Sequence, residues 1–326
     1  MKITKLYVYP IKSFQPTELT SAVVSKHGFL HDRRFMILQV LEDGSLKNMH
    51  VAYFPEMVLF YTDITIPEDD NAGHGRITVT FRPPGAEEKH LDIPLTHDTA
   101  GLETIEVNMH RSPTKAYNMG AAYNDWLSSC FGYNVPADSW FSSITSRLPT
   151  AVSNVIAPHG KDEITFADCA PYLVVSETSM KDVSNRLPDG EEMDITKFRP
   201  NIIVSGAAEE WEEDYWAELM LGDAKLHCVQ NCNRCQSINI DFATGKLGTG
   251  ESGKMLKKLQ SNRRVDPGAK YSPIFGRYAF LDAGSQGMMI AVGDEVEVTR
   301  RNAERTVFDW PGLGTNRTSG NSAISA

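Results

Sequence analysis

The sequence lacks long runs of apolar residues. No stretch of the 326 residues contains the roughly 18 consecutive apolar positions that a membrane-spanning helix needs. Met1 leads directly into a strand-like segment from Ile3 to Tyr9, without the basic and then apolar leader of a secreted protein. These absences predict a chain without a transmembrane segment, and we expect it to be cytoplasmic.

The chain also has fewer basic residues than acidic ones. The chain has 32 Lys and Arg residues against 42 Asp and Glu residues, which gives a formal net charge of −10. This balance opposes nonspecific attraction to nucleic acid or to an anionic membrane surface. We therefore expect no nucleic-acid partner, and an anionic ligand would have to be held by a local group of cations.

Cysteine is scarce and unevenly placed. There are only five cysteines, and Cys228, Cys232 and Cys235 fall within eight residues. An odd number with this spacing favours a reducing compartment and a chemical use of thiolate over a disulfide framework.

The rest of the composition is that of a globular protein, with 41% hydrophobic and 23% charged residues. At about 150 residues per domain, the length predicts two domains. Short segments of strand-forming residues, separated by turn signals, follow one another through the first hundred residues and predict a barrel or sandwich. These segments are Ile3–Tyr9, Leu19–Ser25, Arg34–Val40, Met57–Ile64, Arg76–Phe81 and Thr104–Met109.

The second half mixes strands and short helices without regular alternation. This pattern argues against a doubly wound parallel sheet and predicts a β-rich α+β fold. A helix over residues 120–131 precedes this half, because apolar residues recur there at helical spacing. The later predicted strands are Tyr172–Val175, Asn201–Val204, Ala224–Val229 and Met288–Val298, and the later helices are Ser179–Leu187 and Lys254–Arg264.

We place the domain boundary just after the helix that ends near residue 131. This gives an N-terminal domain of residues 1–135 and a second domain of residues 136–302. Residues 303–326 are predicted to form a disordered C-terminal tail, since Gly312–Ala326 has almost nothing apolar to bury.

The densest group of reactive residue types runs from Asn231 to Cys235. A thiolate forms at neutral pH beside positive or hydrogen-bonding neighbours, and Arg234 with two asparagines can supply them. Cys235 is therefore the candidate metal-binding sulfur. Two alternatives stay open. The cysteines could be small buried apolar residues, or they could belong to a structural zinc site, which needs four ligands although no second C-x-x-C pair exists.

Residues 248–254, Gly-Thr-Gly-Glu-Ser-Gly-Lys, fit the spacing of both a phosphate loop and a dinucleotide-binding loop. Met255, however, stands where a magnesium-binding hydroxyl is required, and the preceding residues are polar turn material. We interpret the segment as a flexible loop before a helix and keep nucleotide binding as an alternative.

Basic residues recur at the ends of predicted strands. Lys12 and Ser13 follow the first strand, Arg33 follows Asp32, and Arg199 opens a later strand. Each alone is typical of a solvated surface charge. Together with Cys235 they would specify a ligand with a phosphate group, which Lys and Arg bind, and a soft metal, which a thiolate binds.

Several ordered motifs across residues 1–300 resemble the molybdenum-cofactor-binding MOSC proteins that carry an N-terminal MOSC_N domain. Within that group the resemblance is nearest to the amidoxime-reducing components and their bacterial relatives. The motifs are Tyr9-Pro10-Ile11-Lys12-Ser13, Leu30-His31-Asp32-Arg33, Phe198-Arg199-Pro200-Asn201-Ile202, Trp216-x-Glu218-Leu219-x-x-Gly222-Asp223, Cys232-x-Arg234-Cys235, Asp266-Pro267 and Ser272-Pro273-x-Phe275-Gly276-x-Tyr278.

The resemblance implies a MOSC_N β-barrel-like domain followed by a MOSC β-barrel domain with a few short helices. It also implies a molybdenum cofactor, Mo-molybdopterin, between the domains, with Cys235 as metal ligand and catalytic residue and Cys232 in a structural role. The family carries a weaker association with pyridoxal phosphate binding. By position, cofactor binding is implied for Lys12, Ser13, Arg33, Arg199, Asn201, Asn233 and Tyr278, and a catalytic role for Asp168.

The resemblance further implies reduction of N-hydroxylated compounds such as amidoximes, hydroxylamines and N-oxides, in which oxygen leaves as water. The sequence has no motif for an iron–sulfur cluster, a flavin or a C-x-x-C-H haem. A separate electron donor is therefore expected, cytochrome b5-like or ferredoxin-like, with its reductase. The alternative function is a protein that carries molybdenum cofactor or sulfur without catalysis. Substrate preference stays open, because Asn48–Pro55 departs from an Arg-containing segment of some relatives.

Overall fold

The computed structural model describes residues 1–66, 75–96, 98–109, 112–131, 140–142, 146–147 and 163–309. The strands of the first half are β1 Lys2–Val8, β2 Thr17–Leu19, β3 Ser21–Ser25, β4 Gly28–Phe29, β5 Met36–Val40, β6 Leu46–Asn48, β7 Phe60–Thr65, β8 Arg76–Phe81, β9 Lys89–Pro94, β10 Thr104–Met109, β11 Ser112–Tyr117, β12 Trp140–Ser142 and β13 Ser146–Arg147.

The strands of the second half are β14 Glu163–Ile164, β15 Tyr172–Ser176, β16 Ile202–Ser205, β17 Trp216–Leu221, β18 Ala224–Asn233, β19 Ile240–Asp241, β20 Lys246–Leu247, β21 Ile274–Leu281, β22 Met289–Ala291 and β23 Val296–Arg301. The α-helices in the described part of the chain are α1 Ala121–Phe131, α2 Glu177–Ser184 and α3 Met255–Gln260. None of the described helices is long and apolar enough to cross a membrane.

The largest sheet has eight strands in the order β2-β1-β16-β15-β21-β18-β17-β23. Neighbouring strands are antiparallel except β15 and β16, which are parallel. Strand β1 comes from the start of the chain, yet it pairs with β16, so that Leu6 lies opposite Ile202. Both side chains belong to an apolar cluster that also contains Val174 and Trp216. The core of this sheet is therefore built from distant parts of the sequence.

The two sides of the large sheet meet near its rim. The Ile3 amide donates to the Asp294 carbonyl at 2.9 Å, and the Val296 amide donates to the Met1 carbonyl at 2.9 Å. These bonds join β1 to the residues that lead into β23. The sheet consequently curls back on itself as a partial barrel around its apolar cluster.

Smaller antiparallel sheets form much of the N-terminal half. Strand β8 pairs with β7 and β9, β5 pairs with β6 and β12, and β10 pairs with β11. The first two of these sheets cover an apolar cluster that includes Ile37, Phe60, Val79 and Leu127, the last from helix α1. The β-rich architecture with few short helices, predicted from short alternating segments, is confirmed.

One predicted strand is wrong in its extent. The sequence predicted a continuous strand over Met288–Val298, whereas the structure has β22 and β23 with a turn between them. Gly293 in that turn has a φ of 99°, a left-handed conformation that ends an extended strand. Strand β21 was not predicted at all, because Gly276 and the buried Arg277 interrupt its apolar pattern.

Residues 303–309, the first part of the predicted tail, are anchored to the rest of the second half. Phe308 is buried, and its amide donates to both Asp266 carboxylate oxygens at 3.0 Å. The Arg305 Nε donates to Asp214 at 2.7 Å. One buried aromatic residue together with these polar contacts fixes the segment. The rest of the predicted tail and the predicted domain boundary at residues 135–136 lie outside the described residues.

Candidate functional site

Two arginines lie over the ring of Tyr9, just beyond the end of β1. The guanidinium carbon of Arg199 is 4.3 Å from the ring centroid, and that of Arg33 is 4.6 Å from it. Tyr9 is completely buried, and its hydroxyl has no hydrogen-bond partner among the described residues. Cations attract the face of an aromatic ring, and the attraction strengthens when water is excluded. The tyrosine therefore keeps two like charges close together.

Arg199 has unused binding capacity. One guanidinium nitrogen, Nη1, donates to the Phe14 carbonyl at 2.7 Å, while the buried Nη2 has no partner in the described part of the chain. Burial lowers the pKa of Arg199 to about 10, and the charge of Arg33 adds to this effect. An anion at Nη2 would satisfy the orphan donor and relieve the repulsion.

Arg33 is held from several sides. Its Nη1 donates to Asp32 and, at 3.0 Å, to the Asn201 side-chain oxygen, while Nη2 donates to the Arg199 carbonyl at 3.3 Å. The Asn201 amide nitrogen donates in turn to the Tyr7 carbonyl and to Asp32, each at 3.2 Å. Asn201 is almost fully buried. The structure thus places this predicted cofactor ligand as a residue that orients Arg33.

Left-handed backbone conformations concentrate at these positions. Among described non-glycine residues, positive φ angles occur at Ser13 (73°), His31 (70°), Arg33 (47°), Arg199 (55°) and Trp211 (66°). Such conformations are uncommon outside glycine and cluster at functional sites, where the surrounding structure maintains them. Three of the five belong to residues that the sequence predicted to bind a ligand.

Lys12 and Asp168 form an ion pair that joins the two halves of the chain. The Lys12 Nζ donates to the Asp168 carboxylate and, at 3.1 Å, to the Phe166 carbonyl. Lys12 is buried, whereas the Asp168 side chain is 59% exposed. The Asp168 charge also acts on Arg33 and Arg199. Two carboxylates, Asp168 and Asp32, therefore lie among three cations, the side chains of Lys12 and the two arginines. The excess of positive charge favours the binding of an anion.

The five thiols differ sharply in their environment. Cys235 is exposed, and its Sγ lies 3.2 Å from the Ser237 hydroxyl. The other four cysteines are buried, and burial raises the pKa of each of them, to about 11 for Cys130 and about 12 for Cys228. The alternative of a small buried apolar residue therefore fits Cys232 but does not fit Cys235.

Cys232 is engaged inside the protein. Its thiol donates to the Tyr278 hydroxyl at 3.1 Å, and Cys169 is a further neighbour of that hydroxyl. Burial raises the pKa of Tyr278, and the nearby Asp168 charge adds to the effect. Tyr278, a predicted cofactor contact, therefore lies beside the buried thiols and within the electrostatic influence of Asp168.

Arg234 fixes the position of its neighbour Cys235. Its Nη1 donates to the Phe198 carbonyl at 2.6 Å, and its Nε donates to the Phe275 carbonyl at 2.8 Å. Because Phe198 precedes Arg199, this buried side chain ties the cysteine segment to the arginine segment. The sequence suggested that Arg234 could support a thiolate. In the structure its hydrogen bonds position the backbone, while burial raises the pKa of the Cys232 thiol and the Arg234 charge opposes that effect.

The cysteine segment also reaches the N-terminal half. The Gln236 Nε2 donates to the Ala52 carbonyl at 2.9 Å, and the amide of Val51 donates to the Ser13 hydroxyl at 3.1 Å. Ser13 and the neighbour of Cys235, Gln236, thus contact adjacent residues of the loop formed by residues 49–54. Nearby, the side-chain oxygen of Asn233 is buried without a hydrogen-bond partner in the described residues.

Sequence reasoning assigned no role to Tyr9 or Asp32, although both stand in the quoted motifs. Asp32 is 1% exposed and accepts from the Tyr9 amide at 2.8 Å. An acid next to two arginines, Arg33 and Arg34, was the available signal for a buried ion pair. Within the described residues, no three His, Cys, Asp or Glu side chains come together as a metal cluster, so the zinc alternative finds no ligand set there.

The glycine-rich segment has a packing role. A Cβ on Gly253 would lie 2.0 Å from the Gly248 carbonyl oxygen, so the two backbone stretches touch. Lys254 is paired with Glu251 at 2.7 Å, and a two-strand hairpin, β19–β20, precedes the segment. This context differs from the strand, loop and helix of a phosphate-binding loop.

Comparison with known proteins gives two family matches. The MOSC N-terminal beta barrel domain matches residues 1–134, and the MOSC domain matches residues 161–297. The chain is 28% identical to human mitochondrial amidoxime-reducing component 1 over 90% of its own length and 82% of the relative, and 29% identical to the mouse protein over 90% and 81%. It is 31% identical to molybdenum cofactor sulfurase of Arabidopsis thaliana over 90% of its length, which covers 35% of that longer protein.

Proposed function

Since the chain is a MOSC-domain protein with an N-terminal MOSC_N domain, we propose that it reduces N-hydroxylated compounds with a molybdenum cofactor bound between Cys235 and the cations around Tyr9. The observation that carries the proposal is one exposed thiol, Cys235, linked through Arg234 and Gln236 to a cluster of three cations. Amidoximes, hydroxylamines and N-oxides are the proposed substrates.

The residues present fit this cofactor. Its phosphate needs several cations, and Lys12, Arg33 and Arg199 supply an excess of positive charge together with an orphan donor on Arg199. Its metal needs a sulfur ligand, and Cys235 alone among the five thiols is exposed. We assign phosphate and pterin contacts to Lys12, Ser13, Arg33 and Arg199, the metal bond to Cys235, and the lining of the pocket to Asn233 and Tyr278.

When bound, the cofactor would supply two-electron redox chemistry at molybdenum. The chain itself supplies binding, orientation and protons. Conversion of N–OH to N–H and water consumes two protons, and Asp168 is a carboxylate with one side in solvent and the other against Lys12. We assign to Asp168 the transfer of protons from solvent to the substrate oxygen. Asn201 and Asp32 hold Arg33 in place.

A second candidate function is a carrier of molybdenum cofactor or of sulfur. The similarity to molybdenum cofactor sulfurase favours it, and an exposed thiol such as Cys235 is also what a sulfur carrier needs. The two functions share a binding site and differ in turnover. In either case electrons or sulfur would pass to or from another protein.

Catalytic turnover of an N-hydroxylated substrate distinguishes the reductase from the carrier. Protein loaded with molybdenum cofactor and supplied with reduced methyl viologen is expected to convert benzamidoxime to benzamidine, and elemental analysis is expected to find molybdenum and no stoichiometric zinc. Stable cofactor binding without turnover of benzamidoxime or hydroxylamine would instead support the carrier. Cytoplasmic location, pyridoxal phosphate binding and a cytochrome b5-like or ferredoxin-like donor stay predictions.

A further inference from the structure

A band of basic side chains follows helix α3. Arg186, from the chain after α2, joins this band, since its Nη1 donates to the Lys258 carbonyl at 3.1 Å. The Gln260 Nε2 donates to the Tyr271 carbonyl at 3.2 Å, which brings the segment around Lys270 to the end of the helix. We call this surface the basic ridge, and its members are Arg186, Lys254, Lys257, Lys258, Arg264 and Lys270.

The basic ridge has more positive charge than its own carboxylates neutralise. Glu251 pairs with Lys254 at 2.7 Å and with Lys258 at 2.8 Å, and Asp182 pairs with Arg186 at 2.6 Å. Lys257 is exposed and forms no ion pair with any residue that the structure describes. Even without Lys270, the ridge thus has five cations against these two carboxylates, in a chain whose formal net charge is −10.

The ridge also has a concave part. Arg186, Lys254, Lys257, Lys258 and Glu251 line an open cavity of about 480 Å³. A depression lined by four cations and one carboxylate can receive carboxylate side chains of a partner.

Helix α3 lies directly against the segment that carries the exposed thiol. The turn Gln236–Asn239 follows Cys235, and its Asn239 side-chain oxygen accepts from the Leu256 amide at 2.9 Å. Ile238 of the same turn shares an apolar cluster with Met255 and Leu259 of α3. The ridge and the thiol are therefore parts of one packed unit.

The proposed reaction needs an external source of electrons. Conversion of one N–OH group to N–H and water takes up two electrons and two protons. A protein carrier with a single one-electron centre can provide the electrons in two successive encounters, in which two reduced carriers are oxidised, while the protons come from solvent.

We propose that the basic ridge is the docking site of an acidic one-electron carrier protein. This inference rests on the proposed function. Complementary charge speeds encounter and orients the partners. The net negative charge elsewhere on the chain repels an acidic carrier and thereby restricts it to the ridge. Docking there brings the carrier onto the same packed unit that holds Cys235.

Charge reversal on the ridge tests the proposal. The variant is Lys254→Glu, Lys257→Glu and Arg264→Glu in the cofactor-loaded protein. The matched control is Lys26→Glu, Lys115→Glu and Arg300→Glu, which changes the net charge equally at exposed positions outside the ridge. The probes are the soluble haem domain of cytochrome b5 and a plant-type ferredoxin. Calorimetry measures the carrier's Kd, and turnover with the reduced carrier measures its kcat/KM.

We expect the ridge variant to lose at least tenfold in kcat/KM for the carrier and in carrier affinity, and the control to stay within twofold of the parent. The parent value should fall as salt is raised, because salt screens exposed charges. Equal losses in both variants, or none in the ridge variant, would overturn the proposal. So would competitive binding of inorganic phosphate at the ridge with no carrier binding, which would make the ridge a small-anion site.

Turnover with reduced methyl viologen distinguishes a failure of the proposed function from a failure of the docking inference. It should be the same in the parent and the ridge variant, with equal thermal unfolding midpoints. If the parent itself fails to turn over benzamidoxime with viologen, the proposed function fails. If viologen turnover is normal and the carrier is insensitive to the ridge, only the docking inference fails.

Discussion

At the scale of single residues, burial gives cysteines of identical chemistry different roles. Cys232 and Cys235 are three positions apart, yet one thiol is buried against Tyr278 and the other is exposed beside Ser237. A buried thiol resists ionisation because the thiolate loses its solvation. The sequence already pointed to Cys235 as the candidate metal-binding sulfur, and in the fold Cys235 is the exposed thiol of the two.

Replacement of Cys235 by Ala is expected to abolish molybdenum retention and benzamidoxime reduction, because no other exposed thiol exists to replace the ligand. Cys232→Ala is the matched control. It removes a thiol of the same segment and should keep most of the metal, with a loss limited to packing beside Tyr278. The molybdenum-to-protein ratio after gel filtration is the measurement. If both variants lose metal equally, the roles assigned to the two cysteines are wrong.

Glu213 is a completely buried carboxyl group near the Arg263–Asp214 pair. Burial raises its pKa to about 7, against the hydrogen bond of 2.6 Å that it accepts from Ser179. Its pKa in the folded state is above the unfolded value, so its contribution to stability is complete below about pH 4.5 and is lost as the pH rises to about 7. Ionisation of Glu213 thus destabilises the fold at neutral pH and above.

Glu213→Gln should remove this pH dependence. At pH 8 the variant is expected to be more stable than the parent by roughly 3 kcal/mol, since one pKa unit corresponds to about 1.4 kcal/mol, and near pH 4.5 the two should be nearly equal. Urea unfolding at both pH values gives the difference in the free energy of unfolding. A constant difference at both pH values would show that Glu213 does not titrate in this range.

At the scale of elements, local pattern predicts strands where one face alone is buried. Strand β8, Arg76–Phe81, has exactly the predicted bounds because its apolar residues alternate with polar ones. Strand β21 was missed, since it is buried on both faces and carries Arg277 at its centre. Arg277 is held by the Trp216 carbonyl and by Asn231, which are distant partners that no local pattern displays.

The candidate site shows the same limit. Its cations were found because they stand in short motifs, but Lys12 and Asp168 are 156 residues apart and meet only in the folded chain. Pairing of Arg33 and Arg199 on Tyr9 depends on the register of β1 against β16, which places Leu6 opposite Ile202. Residue types were thus predictable, and the contacts that give them roles were not.

The turn before helix α3 allows a test with a matched control. Gly253→Ala would place its Cβ 2.0 Å from the Gly248 oxygen, whereas a Cβ on Gly250 has nothing within 4 Å. We expect Gly253→Ala to lower the free energy of unfolding by about 1–3 kcal/mol, and Gly250→Ala to change it by less than about 0.5 kcal/mol. Urea unfolding measures both. Equal stability of the two variants would contradict a packing role for this glycine.

At the scale of the whole molecule, the segment that follows β23 contacts residues from several parts of the second half of the chain. Phe308 packs with Ala269 and Phe280, Arg305 pairs with Asp214, and a Cβ on Gly268 would meet the Phe308 carbonyl at 1.9 Å. The close backbone approach explains why glycine stands at position 268. Contacts of this kind couple the end of the described chain to strand β21.

Phe308→Ala is expected to reduce the free energy of unfolding by about 3–5 kcal/mol, because a buried aromatic ring is lost and a cavity remains. Val307→Ala is the control, since Val307 is 45% exposed and its loss should cost well under about 1 kcal/mol. Chemical denaturation of both variants provides the comparison. If Phe308→Ala lowers the free energy of unfolding as little as Val307→Ala does, residues 303–309 add little to stability.

The pairing of β1 with β16 has a consequence for biosynthesis. Leu6 leaves the ribosome about 200 residues ahead of Ile202, its partner, which at about 5–20 residues per second is a delay of roughly 10–40 s. During that interval the smaller sheets of the N-terminal half can assemble, while β1 has only the short strand β2 as a partner. The edge of β1 that later pairs with β16 keeps open backbone groups, a template for aggregation. Nascent chains of this protein should therefore depend on chaperones until the later strands have been translated.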